Sequence, residues 1–171
     1  MMRANFEASF NHLMKHEGGF VNHPKDPGGM TNLGVTKRAW EEYVGHTVDE
    51  ATMRGLTRET VAPFYKARYW DKVRGDDLPS GVDHAVFDYA VNSGTGRAAK
   101  ALQAAVGVPA DGAIGPKTLA AVAAADAEDL VEKICRGRLD FLQALPTFAT
   151  FGKGWTRRVA EVEQQASEFM A

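Results

Sequence analysis

Cysteine is almost absent from this 171-residue chain: Cys135 is the only one. No intrachain disulfide can form and a zinc site built on several cysteines is excluded, so packing alone has to hold the fold. No apolar run approaches the length of a membrane span, which argues against stable insertion in a bilayer. A basic excess is also missing. With a formal net charge of −2, a dedicated nucleic-acid binder is not expected, because such a protein clusters cations on one face. The N-terminal stretch Met1 to Glu7 has no apolar segment behind Arg3, so a cleavable signal peptide is not expected and synthesis in the cytoplasm is. Among the five histidines, His12 and His16 stand four apart on a helix, yet the His-Glu-x-x-His order of a zinc protease is missing; neither a metal nor a cofactor is expected.

Strand-like alternation is scarce as well, and helical periodicity fills the space it leaves. A composition 44% hydrophobic and 25% charged suffices for one core, or one core with a small lobe beside it. The pattern predicts an all-α, mainly helical protein, with at most a short β-hairpin in the segment Gly18 to Val35, which is rich in Gly, Pro, Asn and Asp. A first helix is predicted from Asn5 to His16, ending at Gly18-Gly19. Thr36 reads as the N-cap of a helix carrying Ala39, Trp40 and Tyr43, and Thr57 as the start of an aromatic-rich helix reaching Trp70, with Pro63 limiting its regularity. Val82 to Asn92 reads as a central helix with the polar pair Asp88 and Asn92 one turn apart. Beyond Gly94 the chain turns alanine-rich. Helices are expected over Arg97–Val106 and Pro116–Ala125, around the turn Asp111 to Thr118, and then over Ala127–Leu145 and Trp155–Phe169. Pro146 and Gly152-Lys153-Gly154 are expected to separate the last two.

One acid stands out by position. Phe6, Phe10, Leu13 and Met14 form an apolar stripe, and Glu17 follows Phe10 by seven residues and Leu13 by four, so it is expected on the buried side of the helix end. Burial disfavours the charged form of a carboxyl and makes it a proton donor near neutral pH. Cleaving a glycosidic bond needs such a donor at the leaving oxygen and a second group that positions water or meets the developing positive charge. Asp26, across a Gly- and Pro-shaped loop, is the natural second group, solvated and ionised, and the Thr31 hydroxyl is placed to hold the water.

These residues also resemble a known family. Glu17-Gly18-Gly19-Phe20, then Pro24, Asp26, Gly28-Gly29, Thr31 and Gly34-Val35-Thr36, look like the signature of glycoside hydrolase family 108, N-acetylmuramidases of the lysozyme-like superfamily once described as secretion activators. Phe20 stands where the family usually has Tyr. Tyr65, Tyr69-Trp70 and Phe87 to Gly94 resemble further landmarks, and Asp111-Gly112-Ala113-Ile114-Gly115-Pro116 resembles a predicted peptidoglycan-binding region. The resemblance implies a catalytic region over residues 1–94 and a wall-binding helical region over 95–171, packed as one compact unit. It implies hydrolysis of the β-1,4 bond between N-acetylmuramic acid and N-acetylglucosamine in bacterial peptidoglycan, with Glu17 as catalytic acid. The Glu, Asp, Thr order is similar to that of phage lysozymes, which implies inversion, with Asp26 and Thr31 holding the water. A monomer acting on the wall after release through a holin-type partner's membrane hole fits the family's phage setting.

Each residue has a structural alternative. Asp26 suits a turn, Thr31 suits a loop cap, and Asp88 and Asn92 inside an apolar helix must find hydrogen-bond partners that tie elements together. Tyr65, Tyr69 and Trp70 suit a core, although sugar rings stack on aromatic faces. Tyr69, Trp70, Asn92 and Thr36 are carried forward as candidate substrate contacts, and Cys135 as a small buried hydrophobe. Two other functions stay open: a lytic transglycosylase using the same Glu17, and a wall-binding or secretion-assisting module without turnover.

Overall fold

Helix α1 (Arg3–Met14) buries Phe6 and Phe10 on its apolar stripe and ends with tightened i→i+3 bonds from Lys15 N–H to His12 and from His16 N–H to Leu13. The structure, a computed structural model, describes residues 3–22 and 29–171. Strands β1 (Val21–Asn22), β2 (Met30–Asn32) and β3 (Val35–Thr36) follow as one small antiparallel sheet in that order. Helices α2 (Lys37–Val44), α3 (Glu50–Arg54), α4 (Arg58–Tyr65), α5 (Val82–Ser93), α6 (Thr95–Val106), α7 (Pro116–Ala124), α8 (Ala127–Gln143) and α9 (Phe148–Met170) come next, with a short 3₁₀ turn over Gly75–Asp77, and the protein is mainly α.

The helix starts are chemical. Thr36, Asp49, Thr57 and Asp126 each accept a backbone N–H three residues on, satisfying one of the donors that a first helical turn leaves open. Pro63 lies inside α4; it has no N–H to give, and the chain continues beyond Tyr65 as a π-helical turn, Lys66–Trp70.

The chain forms two compact units. One is Phe10–Arg68, with the sheet and α2 to α4, and its core gathers Phe10, Leu13, Trp40, Met53, Phe64 and Tyr65. Buried Asn32 ties β2 to the end of α3 by donating to the Met53 carbonyl at 2.8 Å. The other unit is the chain up to Ser9 together with Tyr69–Ala171. Its centre is α5, buried from Val82 to Ala90 and packed against α6, α8 and α9. The sequence boundary at residue 94 runs inside this unit, between α5 and α6.

Gly152 and Gly154 do not separate two helices as their sequence suggests: both lie within α9, which starts at Phe148 instead of Trp155. Gly152 is buried, and a Cβ there would meet the Phe148 ring at 2.8 Å, so the missing side chain lets that ring lie against the helix. Close packing offsets the roughly 1 kcal/mol that glycine costs a helix. The Asp111 to Pro116 turn is held from within by buried Gln103, which donates to Asp111 at 2.8 Å and to the Ala113 carbonyl at 3.0 Å and accepts from Gly112 N–H at 2.9 Å.

Candidate active site

Glu17 lies three residues beyond Met14, the end of the helix on which the sequence places it. The tightened turn after Met14 and the two glycines that follow put it in a bend, and its side chain is half-buried. What surrounds it comes from the hairpin. Asn32 pairs with Val35, leaving Leu33 and Gly34 as a two-residue turn between β2 and β3, with φ +51° and +78°. Positive φ at both positions is the type I′ signature that matches the twist of paired strands. Glycine adopts it freely, whereas a leucine there costs about 1 kcal/mol or more.

The strained residue is tied on both sides. Leu33 N–H donates to the Gly18 carbonyl at 3.0 Å, next to Glu17 in the chain, and the Tyr65 hydroxyl donates to the Leu33 carbonyl at 2.7 Å. Gly34 completes the arrangement: a Cβ built on it would collide with Glu17 Oε2, lie 2.6 Å from the Tyr65 hydroxyl and 2.8 Å from Glu17 Cδ. The carboxyl and the phenol therefore converge on the bare face of one glycine, which is itself exposed. Phe20, the aromatic of the Glu-Gly-Gly-Phe run, is half-buried with the Arg54 guanidinium 4.1 Å from its ring centroid.

Thr31 and Thr36 are cross-strand partners, so their side chains share the sheet face opposite buried Asn32 and Val35. Thr36 caps α2 by accepting from Ala39 N–H at 3.1 Å, while half-buried Thr31 keeps its place in the hairpin beside it. Asp26 lies outside the described residues.

Three candidates, Tyr69, Trp70 and Asn92, belong to the other unit. Trp70 is fully buried, edge-on to Phe6 and Phe87, with its indole N–H donating to Asp76 at 3.0 Å and its ring pressed on Gly75. It is a core residue with no face for a sugar. Tyr69 is half-buried against the same unit's core. Asn92 is exposed at the last turn of α5 and accepts from Arg138 at 3.2 Å. One turn back, buried Asp88 accepts from Arg138 at 2.7 Å and from Nε and Nη2 of Arg158, each at 3.1 Å. Burial alone would raise the Asp88 pKa, but the two guanidinium groups hold it well below the usual carboxylate range. This is the tie between helices that polar residues in an apolar helix predict. Cys135 is buried, and desolvation pushes its thiol up to about 12, which makes it an inert packing group.

The convergence of Glu17, Gly34 and Tyr65 was beyond sequence reading because it depends on a positive φ and on a contact across 31 residues, from Gly34 to Tyr65. The available signal was the short run Asn32-Leu33-Gly34-Val35, a glycine-bearing hairpin turn next to the acid's motif.

Comparison with curated proteins finds no match. The family model described as Glycosyl hydrolase 108 matches residues 10–94, and one described as Predicted Peptidoglycan domain matches residues 97–160. The chain is similar to the solved structure of Brucella abortus SagA, with 47% identity and a TM-score of 0.87 over 98% of this chain and 96% of that one. With Glu17, the acid of the Glu-Gly-Gly-Phe motif, set against a strained hairpin turn, and with these matches spanning most of its length, the chain belongs to the glycosyl hydrolase 108 family and is a glycoside hydrolase of peptidoglycan.

Proposed function

We propose that this protein is an N-acetylmuramidase that hydrolyses the β-1,4 bond between N-acetylmuramic acid and N-acetylglucosamine, with Glu17 as general acid. The observation that carries the reading is the placement of the Glu17 carboxyl: half-buried, at the bare face of exposed Gly34 and beside the Tyr65 hydroxyl. Exposed Gly34 adds no side chain of its own beside the carboxyl, which leaves a glycan's bridging oxygen a way to approach the acid. Glu17 gives its proton to that oxygen as the C1–O bond breaks, and the sugar left behind develops oxocarbenium character. Water then adds to C1 and surrenders a proton. In the inverting version, Asp26 takes that proton and Thr31 helps to orient the water from the opposite face of the ring.

Mass spectrometry of soluble fragments from purified peptidoglycan, after incubation with the parent and with Glu17→Gln, tests the reading. Fragments ending in reducing N-acetylmuramic acid are expected from the parent, and a loss of rate of about 10²- to 10⁴-fold is expected from the variant, the range general acid catalysis supplies. Anhydro-muramic ends would replace hydrolysis by intramolecular transglycosylation, and equal release by both proteins would remove Glu17 from the mechanism.

A further inference from the structure

Tyr65 is 1% exposed and wedged between Phe10 and Phe64, with ring centroids 5.6 and 5.4 Å away. A side chain so enclosed cannot offer its ring to a sugar, and the stacking role open to the aromatics in sequence does not apply to it. Only its hydroxyl reaches the candidate site, where it donates to the carbonyl of the strained residue Leu33. We propose that Tyr65 is a positioning residue for Glu17, acting through the Leu33–Gly34 turn. The inference rests on the reading of Glu17 as the general acid.

A leucine with φ +51° relaxes toward ordinary backbone unless its neighbours over-determine it, and here its N–H and C=O are both engaged, by the Gly18 carbonyl and by Tyr65. The first of these bonds joins the turn to the residue that follows Glu17, so turn and acid move as one piece. The second fixes that piece to an aromatic core. Gly34 then supplies the space: the carboxyl and the phenol oxygen occupy the region a side chain would fill, which limits the orientations open to Glu17. An acid held in one orientation reacts faster for the same binding of substrate, and misplacement of about 1 Å can cost about 10²-fold in rate. The hydroxyl of Tyr65 therefore bears on turnover and not on affinity.

The test is steady-state kinetics on soluble, uncrosslinked peptidoglycan glycan fragments, counting new reducing ends, for the parent, Tyr65→Phe, Gly34→Ala and Glu17→Gln, with thermal melting of each. Tyr65→Phe keeps the ring and removes one oxygen. Its kcat is expected to fall roughly 10- to 100-fold with KM within about twofold of the parent. Gly34→Ala keeps the Tyr65 hydroxyl in the chain but crowds both it and the Glu17 carboxyl, and the same kcat-only loss is expected; it stands as the second variant if Tyr65→Phe melts too low to assay. A kcat within about twofold of the parent in Tyr65→Phe, while Glu17→Gln is inactive, overturns the positioning role and leaves the general acid in place. A rise in KM with kcat kept overturns it too, by making Tyr65 a substrate contact. Full activity in Glu17→Gln instead removes the general acid and the positioning role with it.

Discussion

Glu17 and Asp88 are both carboxylic acids that the sequence sets among apolar neighbours, and the fold handles them in opposite ways. Asp88 is 1% exposed and meets two guanidinium groups, so its charge is fixed and neutralised inside the protein. Glu17 is half-buried in a bend, against a backbone turn and a phenol, with an exposed glycine beside it. An acid that must exchange protons needs an open side; an acid that ties helices together needs cations and no water. The difference is one of partners, and partners are what a helical repeat of apolar residues leaves unspecified.

The comparison breaks most sharply at Asp88→Asn. Removing this charge leaves Arg138 and Arg158 facing a neutral amide at position 88, and the loss of one member of a buried ionic cluster typically costs about 3 to 5 kcal/mol. Denaturant unfolding should record that loss, while the fraction still folded at low temperature keeps its specific activity. Glu17→Gln is expected to show the reverse, with its stability unchanged and its turnover gone. A stable but inactive Asp88→Asn protein would mean that the two acids share a catalytic task.

Much of the scaffold was legible in the sequence because caps and breakers act locally. Thr36 and Thr57 cap the helices that they announce, Pro116 opens α7, and the Gly-rich segment after Glu17 carries the expected hairpin, extended to three strands. Where the reading failed, a distant partner decided. Gly152 belongs in a helix because the Phe148 ring lies on it, and between the two roles that the sequence left to Trp70, Phe6 and Phe87 decide for the core by enclosing it. Helix α3 went unread because five residues carry too little periodicity, although Asp49 caps it. At the site itself, the acid and its motif could be read, while the turn that holds the acid could not.

A third acid sharpens the contrast through pH. Asp83 is fully buried and, among the described residues, its bonds are to neutral donors: it accepts from Asn5 at 2.9 Å and from the backbone N–H groups of Gly81 and His84 at 2.9 and 2.7 Å. Desolvation outweighs these bonds and raises its pKa to about 6. Between the ordinary carboxylate value and about 6, the folded chain therefore holds a proton that the unfolded chain has released, so this group's contribution to stability falls as pH rises through that window. Asp88, with a depressed pKa, works in the other direction: its contribution is present above the ordinary value and is lost as the pH drops below it. Asp83→Asn should gain on the parent as pH rises from about 4 to about 6, by at most about 3 kcal/mol. Thermal melting across that range checks it, and parallel curves for the two proteins would show that Asp83 is ionised throughout.

Asn92 gives the smallest effect and the finest division between structure and substrate. Its Oδ1 accepts from Arg138 Nη2 at 3.2 Å, at an exposed position one turn beyond Asp88. As part of the ionic cluster it helps to orient the guanidinium, and truncation to Ala removes one charge-assisted bond with water free to replace the lost acceptor. The expected cost is about 1 kcal/mol in stability. If that bond is the whole of its role, Asn92→Ala leaves kcat and KM for glycan fragments unchanged, and its effect on stability shrinks sharply in an Asp88→Asn background, because both residues hold the same arginine. A rise in KM without loss of stability would return Asn92 to the substrate, as its place at the end of the central helix first suggests. The coupling measurement separates the two roles because a sugar contact has no reason to depend on Asp88.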